Sequence, residues 1–159
     1  MKTKLWLAAS LFAACMYTTT ASADIVFGVK AGTIEYDVPA SSSGVNASLQ
    51  LAFDIFDLGI ADIALEAEYS TSLSDGRIGI DEVSFESTGL YAALRTAGPI
   101  YAIVRAGYVD AKIGSIADDS GSALGVGVGF SGGLRMEIEY TKYEIDNIDI
   151  EYLTVGFAF

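Results

Sequence analysis

The chain has 159 residues, 52% of them apolar, with one cysteine, no histidine and a net charge of −12. This length fits one domain, and the high apolar content excludes a disordered acidic chain. The negative charge leaves no basic surface for phosphates, so we expect no nucleic-acid partner. The absence of histidine argues against histidine-based metal sites and against a Ser-His-Asp mechanism.

The N-terminal residues have the pattern of a secretory signal peptide. Two lysines precede an apolar run over Leu5–Met16, and residues 21–23 (Ala-Ser-Ala) form a cleavage pattern before Asp24. About 12 apolar residues are too few to cross ~30 Å of hydrocarbon as a helix. Removal of 23 of the 159 residues leaves 136 without a cysteine, and the loss of two lysines lowers the net charge from −12 to −14.

A second interpretation of this leader is a lipoprotein signal. Residues 12–15 (Phe-Ala-Ala-Cys) resemble a degenerate lipoprotein box, which would make Cys15 a lipidated N-terminus. Phe12 stands where that motif usually has a smaller aliphatic residue, and the Ala-Ser-Ala pattern is the cleaner site. We therefore predict a cleaved signal peptide over 1–23 and one domain over 24–159, which folds without disulfides.

After the leader, apolar and polar residues alternate with a period of two. The segment 45–54 places Val, Ala, Leu, Leu and Phe on one face and Asn, Ser, Gln and Asp on the other, which is the period of a strand. Each of these segments has roughly 10 to 13 residues, which is the length of a tilted strand that crosses a bilayer. Eight of them follow one another: 25–36, 45–55, 61–71, 84–96, 100–110, 122–131, 134–143 and 149–159.

The connections between these segments are asymmetric. Those after the second, fourth and sixth segments are short, whereas those after the first, third and fifth are longer and polar, over 37–44, 72–83 and 111–121. Short turns at one end and long loops at the other are typical of outer-membrane barrels. The sequence therefore predicts an all-β fold, an eight-stranded antiparallel up-and-down transmembrane β-barrel of the outer-membrane type.

The polar face of the predicted strands carries charges of both signs among glycines. Because an unpaired buried charge is costly, we expect these charges to pair across a narrow lumen. The predicted lumen network consists of Lys30, Glu66, Glu68, Arg95, Arg105, Arg135, Glu137 and Glu139. The other face is apolar, as contact with lipid requires, and its aromatic residues near strand ends predict interfacial girdles: Phe53, Tyr69, Tyr108, Phe130, Tyr140 and Phe159.

Several segments resemble those of the small eight-stranded barrels of bacterial outer membranes, the OmpA-like, OmpX-like and opacity-protein group. They are 28–36, 65–69 (LEAEY), 106–108 (AGY), 137–140 (EIEY) and 155–159 (VGFAF), and the resemblance covers essentially the whole mature chain. It implies a Gram-negative outer-membrane protein, surrounded by lipid and lipopolysaccharide, and we expect a monomer without a cofactor. It also implies that the assembly machinery reads the last strand, at Leu153, Val155, Gly156, Phe157 and Phe159.

The role of the lumen has two interpretations. The network is either structural, or it is a gate whose ion pairs exchange so that small ions pass, as the resemblance to OmpA-like barrels implies. Glu66 with Glu68, and Glu137 with Glu139, also look like acid–base pairs, but cations on the same face favour ion pairing. Enzymes among the small outer-membrane barrels need a catalytic histidine, so we predict no enzymatic activity and no catalytic residue.

The loops and their margins are acidic. A surface ligand or divalent cations are possible partners, but the carboxylates lack the spacing of an EF-hand, so no metal site is assigned. They are Asp37, Asp75, Asp81, Glu82, Asp110, Asp118, Asp119, Glu144, Asp146 and Asp149.

The remaining alternative is a soluble periplasmic eight-stranded barrel that carries a small ligand. In that case Arg105 and Glu137 would point outward instead of inward.

Overall fold

The structure, a computed structural model, describes residues 25–132, 134–145 and 148–159. The predicted signal peptide and Cys15 lie outside the described residues. No helix in these ranges is long and apolar enough to cross a membrane. The strands are β1 (Ile25–Tyr36), β2 (Ser41–Ser42), β3 (Gly44–Asp57), β4 (Ala61–Ser74), β5 (Gly76–Ile78), β6 (Asp81–Val83), β7 (Phe85–Thr96), β8 (Ile100–Ile113), β9 (Ala117–Ser131), β10 (Arg135–Ile145) and β11 (Ile148–Ala158).

Eight of these strands form a closed barrel in the order β1-β11-β10-β9-β8-β7-β4-β3. All neighbours are antiparallel, and the barrel closes where β1 pairs with β11, from Gly28 opposite Ala158 to Tyr36 opposite Ile150. The eight-stranded up-and-down barrel predicted from the sequence is thereby confirmed. The three short strands form a separate sheet in the order β2-β5-β6.

The strands are staggered around the barrel. Register partners followed once around the barrel from Phe27 return to β1 at Asp37, ten residues further along the chain. In an eight-stranded barrel this stagger corresponds to strands tilted by about 40°, so each residue advances roughly 2.5 Å along the barrel axis.

Side chains alternate between the interior and the outer surface along each barrel strand, as β7 illustrates with a strictly alternating pattern of buried and exposed residues. The outward side chains are apolar over most of the barrel, and Leu49, Leu65, Leu90 and Val126 are all more than half exposed. The predicted girdle residues lie on this outer surface. Phe53, Phe130 and Phe159 are near the end that holds Ile25 and Phe159, the first and last described residues, which we call the termini. Tyr69, Tyr108 and Tyr140 are nearer the other end.

At the end opposite the termini the strands are longer than the sequence predicted. The expected loops over 72–83 and 111–121 were wrong, since β4 continues to Ser74, β8 reaches Ile113 and β9 begins at Ala117. In the extension of β8 the alternation persists but its polarity is exchanged. Ala111 and Ile113 point inward and Lys112 points outward, so this segment lacks the outward apolar stripe by which the strands were recognised.

Candidate functional site: the interior of the barrel

Seven of the eight predicted network residues are buried inside the barrel near its middle, with exposures of 6% or less: Lys30, Glu66, Glu68, Arg95, Arg105, Glu137 and Glu139. Arg105 is at the centre of one cluster. Its Nη1 lies 2.6 Å from Glu68 Oε2, and its Nε lies 3.0 Å from Glu139 Oε2. Lys30 Nζ contacts the same two carboxylates, at 3.2 Å and 2.6 Å, which makes a ring of alternating charge.

A second cluster lies closer to the chain termini, around Arg95. This guanidinium forms an ion pair with Glu66, and its Nε lies 3.2 Å from Glu137 Oε1. The hydroxyl of Tyr101 donates a hydrogen bond of 2.8 Å to the same Glu137 oxygen. Arg105 Nη1 is 3.7 Å from Glu66 Oε2 and so links the two clusters.

Among the described residues, the buried interior thus contains three cations and four carboxylates. Each carboxylate contacts at least one guanidinium or ammonium group, and these attractions offset the cost of taking the charges out of water. The cations and carboxylates come from β1, β4, β7, β8 and β10, so the network also ties distant strands together across the lumen.

The ring of a tyrosine and the missing side chain of a glycine accommodate Arg105. The sequence analysis did not place either residue next to Arg105. The Arg105 guanidinium lies over the Tyr91 ring, 4.5 Å from its centroid, which is a cation–π contact. On the other side Gly125 has no side chain, and a Cβ at that position would lie only 2.8 Å from Arg105 Cγ. The sequence could have indicated these contacts, because Tyr91 and Gly125 lie on the inward side of their predicted strands.

Arg135 lies apart from the other network residues, at the barrel end that holds the termini, which we call the terminal mouth. Its side chain is 30% exposed, and its Nη2 lies 3.6 Å from Asp54 Oδ2. A cavity of about 70 Å³ opens here, lined by Arg135, Arg95, Asp62, Tyr101 and neighbouring turn residues. This volume holds only a few water molecules.

Beyond the charged layer, away from the terminal mouth, the interior becomes apolar. A layer of hydroxyl groups comes first, where Ser48 Oγ lies 2.7 Å from Ser70 Oγ and 2.9 Å from the Tyr152 hydroxyl. Then follows an apolar plug in which the rings of Phe85 and Tyr143 stack. The plug consists of Ile34, Tyr36, Val83, Phe85, Tyr91, Val109, Ala111, Ile113, Ala123, Tyr143, Ile145, Ile150 and Tyr152. The predicted charge pairs therefore occupy only part of the interior, and an apolar layer that was not predicted fills the rest.

The outer surface around the plug is charged. Its residues alternate along the strands with those of the plug, as Asp110 and Lys112 do with Val109 and Ala111. We call this ring the charged collar, which contains Glu35, Glu86, Asp110, Lys112, Asp118, Lys142, Glu144, Asp149 and Glu151. This half of the barrel is apolar inside and charged outside, the arrangement of a soluble protein, whereas the half near the terminal mouth has the reverse polarity.

The short strands β2, β5 and β6 lie at the plug end of the barrel. Ile78 of β5 and Val38 pack against the plug. The acidic residues predicted for the loops include Asp75, Asp81 and Glu82, which are exposed, while Asp146 lies outside the described residues. Within the described ranges, no three aspartate, glutamate or cysteine side chains come together in an arrangement that would hold a metal ion.

The residues predicted as an assembly signal lie on β11, one of the two closing strands, and at Phe159 directly after it. Leu153, Val155, Phe157 and Phe159 are exposed on the apolar outer surface. Gly156 faces inward, where a Cβ would lie 2.6 Å from Lys30 Cγ. The absence of a side chain at this position therefore makes room for Lys30.

Comparison with known proteins identifies the fold. No family model and no curated protein sequence matches the chain. Neisserial surface protein A matches 87% of this chain and 98% of its own, with a TM-score of 0.64 and 16% identity. The outer-membrane enzyme PagL matches 82% and 97%, with a TM-score of 0.55 and 14% identity. The N-terminal barrel of Pseudomonas aeruginosa OprF matches 84% and 97%, with a TM-score of 0.54 and 13% identity. The chain therefore has the fold of the small eight-stranded outer-membrane barrels, as its resemblance to that group predicted.

Proposed function

We propose that this protein is an outer-membrane barrel with a sealed interior, which presents its charged collar and acidic loops outside the cell for contact with a surface ligand. The observation that carries this proposal is the exchange of polarity between the two halves of the barrel. A protein surrounded by hydrocarbon at one end and by water at the other needs this distribution of side chains.

The apolar outer surface supports the membrane position. On β8 the uncharged outward residues run from Ile100 to Tyr108, and eight residues at roughly 2.5 Å each give about 20 Å, close to the ~25 Å band of such barrels. At the border between this apolar band and the charged collar, the Tyr69 hydroxyl donates a 2.8 Å hydrogen bond to Glu86 of the collar. A ring in the apolar band with its hydroxyl among polar groups is typical of residues at a membrane interface.

The apolar plug supports a sealed interior over ion passage. An exchange of partners within the charged layer would not by itself open a path, because ions would still have to cross the plug. Phe85, Tyr143, Ile145 and Ile150 of the plug are all 1% exposed or less. A bare ion in such surroundings has a very high free energy. The lumen network accordingly has a structural role, as the charge pairing also favours.

Enzymatic activity and ligand carriage are less well supported. PagL is an outer-membrane enzyme of the same fold, so the fold alone does not decide, but this chain has no histidine and its buried carboxylates contact arginine or lysine. A soluble carrier would expose Leu49, Leu90 and Leu124, each about 60% exposed, to water over a wide band.

Cell fractionation and planar-bilayer recording test the proposal. We expect the protein in the outer-membrane fraction, with a band that shifts in gels when the sample is boiled, and no conductance steps above the bilayer leak. The double variant Phe85→Ala, Tyr143→Ala opens the plug and serves as the comparison for a leaky barrel. A soluble periplasmic protein without a gel shift, or regular conductance steps from the unaltered protein, would overturn the proposal.

A further inference from the structure

The charged collar has a gap over two neighbouring strands. The outward residues of β3 and β4 include no charged side chain, whereas each of the other six barrel strands carries at least one collar residue. We call this uncharged surface the β3–β4 face. Its residues are Val45, Ala47, Leu49, Leu51 and Phe53 on β3 and Ile63, Leu65, Ala67, Tyr69, Thr71 and Leu73 on β4.

On its β4 side this face is also taller than the uncharged outer surface of β8 and of β10. On β4 the uncharged outward residues run from Ile63 to Leu73, ten residues or about 25 Å along the barrel axis. Along β10 the comparable run begins at Leu134, one residue before the strand, and ends at Tyr140. It spans only six residues, or about 15 Å, before the next outward residue, Lys142.

The top of this face stands at the level of the collar. Ser72, next to Leu73, accepts a 2.7 Å hydrogen bond from the backbone N–H of Phe85, which belongs to the plug. Leu73 is 67% exposed there, and Val45 is 41% exposed beside it. At that level the other strands present carboxylates to lipid headgroups and water, so acyl chains do not reach high enough to cover Leu73. A protein surface of the same height covers it better.

In place of the monomer expected from the resemblance, we propose that the β3–β4 face packs against the β3–β4 face of a second copy of this chain, about a twofold axis along the membrane normal. Insertion in one orientation places identical residues of the two copies at identical heights, so a tall apolar face meets another of equal height. On the remaining strands the collar has seven carboxylates and two lysines, and two such surfaces repel each other. The small side chains of Ala47 and Ala67 let the two strand pairs approach closely.

The interface is small. Two strands of this length present on the order of 400 Å² per copy, about half of the ~800 Å² per partner that is usual for a stable complex in water. The dimer therefore forms and dissociates within the membrane, and an assay that traps it covalently is the suitable one. Cleavage after Ala23 leaves the mature chain without cysteine, so single introduced cysteines report on single positions.

Cysteine cross-linking tests the dimer, with Ala67→Cys and Ala47→Cys as probes. Ala106→Cys on β8 is the matched control, because it replaces the same residue type on the outward, apolar surface at nearly the level of Ala67, away from the β3–β4 face. In lipid vesicles under mild oxidation we expect at least five times more covalent dimer from the Ala67 variant than from the Ala106 variant. The excess of the Ala67 yield over the Ala106 yield should persist when the protein is diluted tenfold in lipid.

A second substitution separates a specific interface from random collision. Leu73→Glu in the Ala67→Cys background restores the missing collar charge, and we expect it to reduce the dimer yield about tenfold while the heat-dependent gel shift is kept. Equal yields from all probes at either dilution, or no effect of Leu73→Glu, would overturn the proposal. The inference rests on the proposed membrane position, whose own failure would show as loss of the gel shift and of the membrane fraction.

Discussion

Removal of Arg105 is the most direct perturbation of the barrel interior. The residue is fully buried and contacts Glu68, Glu139 and Glu66, while its Nη2 donates a 2.8 Å hydrogen bond to Thr141 Oγ1. Arg105→Met changes the buried balance from three cations and four carboxylates to two and four. Because breaking a buried ion pair leaves an uncompensated charge, we expect a loss of about 3–5 kcal/mol in the free energy of unfolding.

Urea titration in lipid vesicles, read by the gel shift between folded and unfolded protein, measures this loss. The control is Arg77→Met, because Arg77 forms its 3.0 Å ion pair with Glu82 on the surface, where both side chains are more than 60% exposed. That change should cost less than about 1 kcal/mol. If Arg105→Met proved no more costly than Arg77→Met, the network would not stabilise the barrel.

A compensating variant checks the reasoning about charge balance. Adding Glu68→Gln to Arg105→Met leaves two cations and three carboxylates, which is the same imbalance as in the unaltered interior. We expect the double variant to be more stable than Arg105→Met alone. A double variant that is less stable by the sum of two independent losses would refute the charge-balance argument.

Three further substitutions address the other layers in the same titration. Val126→Arg places a charge in the middle of the outer apolar band and should cost about 2–4 kcal/mol, whereas Ser122→Arg, nearer the collar on the same strand, should cost about 0–1 kcal/mol; equal costs would contradict the membrane position. Ile145→Ala truncates a fully buried plug residue and should cost about 2–5 kcal/mol; a cost below 1 kcal/mol would mean that the plug is loosely packed. Gly125→Ala places a Cβ 2.9 Å from Thr141 Oγ1 as well as close to Arg105, and should cost about 1–3 kcal/mol; a neutral result would show that the network shifts freely.

The barrel itself could be predicted because its signal is local. The alternation along 45–53, repeated seven more times with short and long connections in turn, is enough to indicate eight antiparallel strands. The inward direction of Arg105 and Glu137 follows from the same period. Both lie in the interior, where the alternative of a soluble carrier would not place them.

The partners inside the barrel could not be predicted, because they depend on how the strands are staggered. Arg135 is on the inward side of its strand, as expected, yet its ion-pair partner is Asp54 of β3, two strands beyond β11. Nothing in either segment alone encodes that contact. The extension of β9 was missed for a different reason, since the sequence of 117–121 (ADDSG) alternates too weakly to be recognised without its neighbours.

The two halves of the barrel are stabilised by different forces, and the sequence reflects both. In the proposed membrane position, half of the outer surface faces hydrocarbon. Apolar side chains on both faces of a strand would there make it a continuous apolar run, prone to aggregate before insertion. Polar inward residues such as Glu137 and Lys30 keep the strands amphipathic. Their charges must then pair across the lumen, which explains the network. Where the outer surface faces water, burial of apolar area is again favourable, so Ile113 and Tyr143 point inward and the charges move outside. The boundary between the two arrangements lies at Tyr69, Tyr108 and Tyr140, and the proposed sealed interior would follow from this exchange of polarity without a separate closing element.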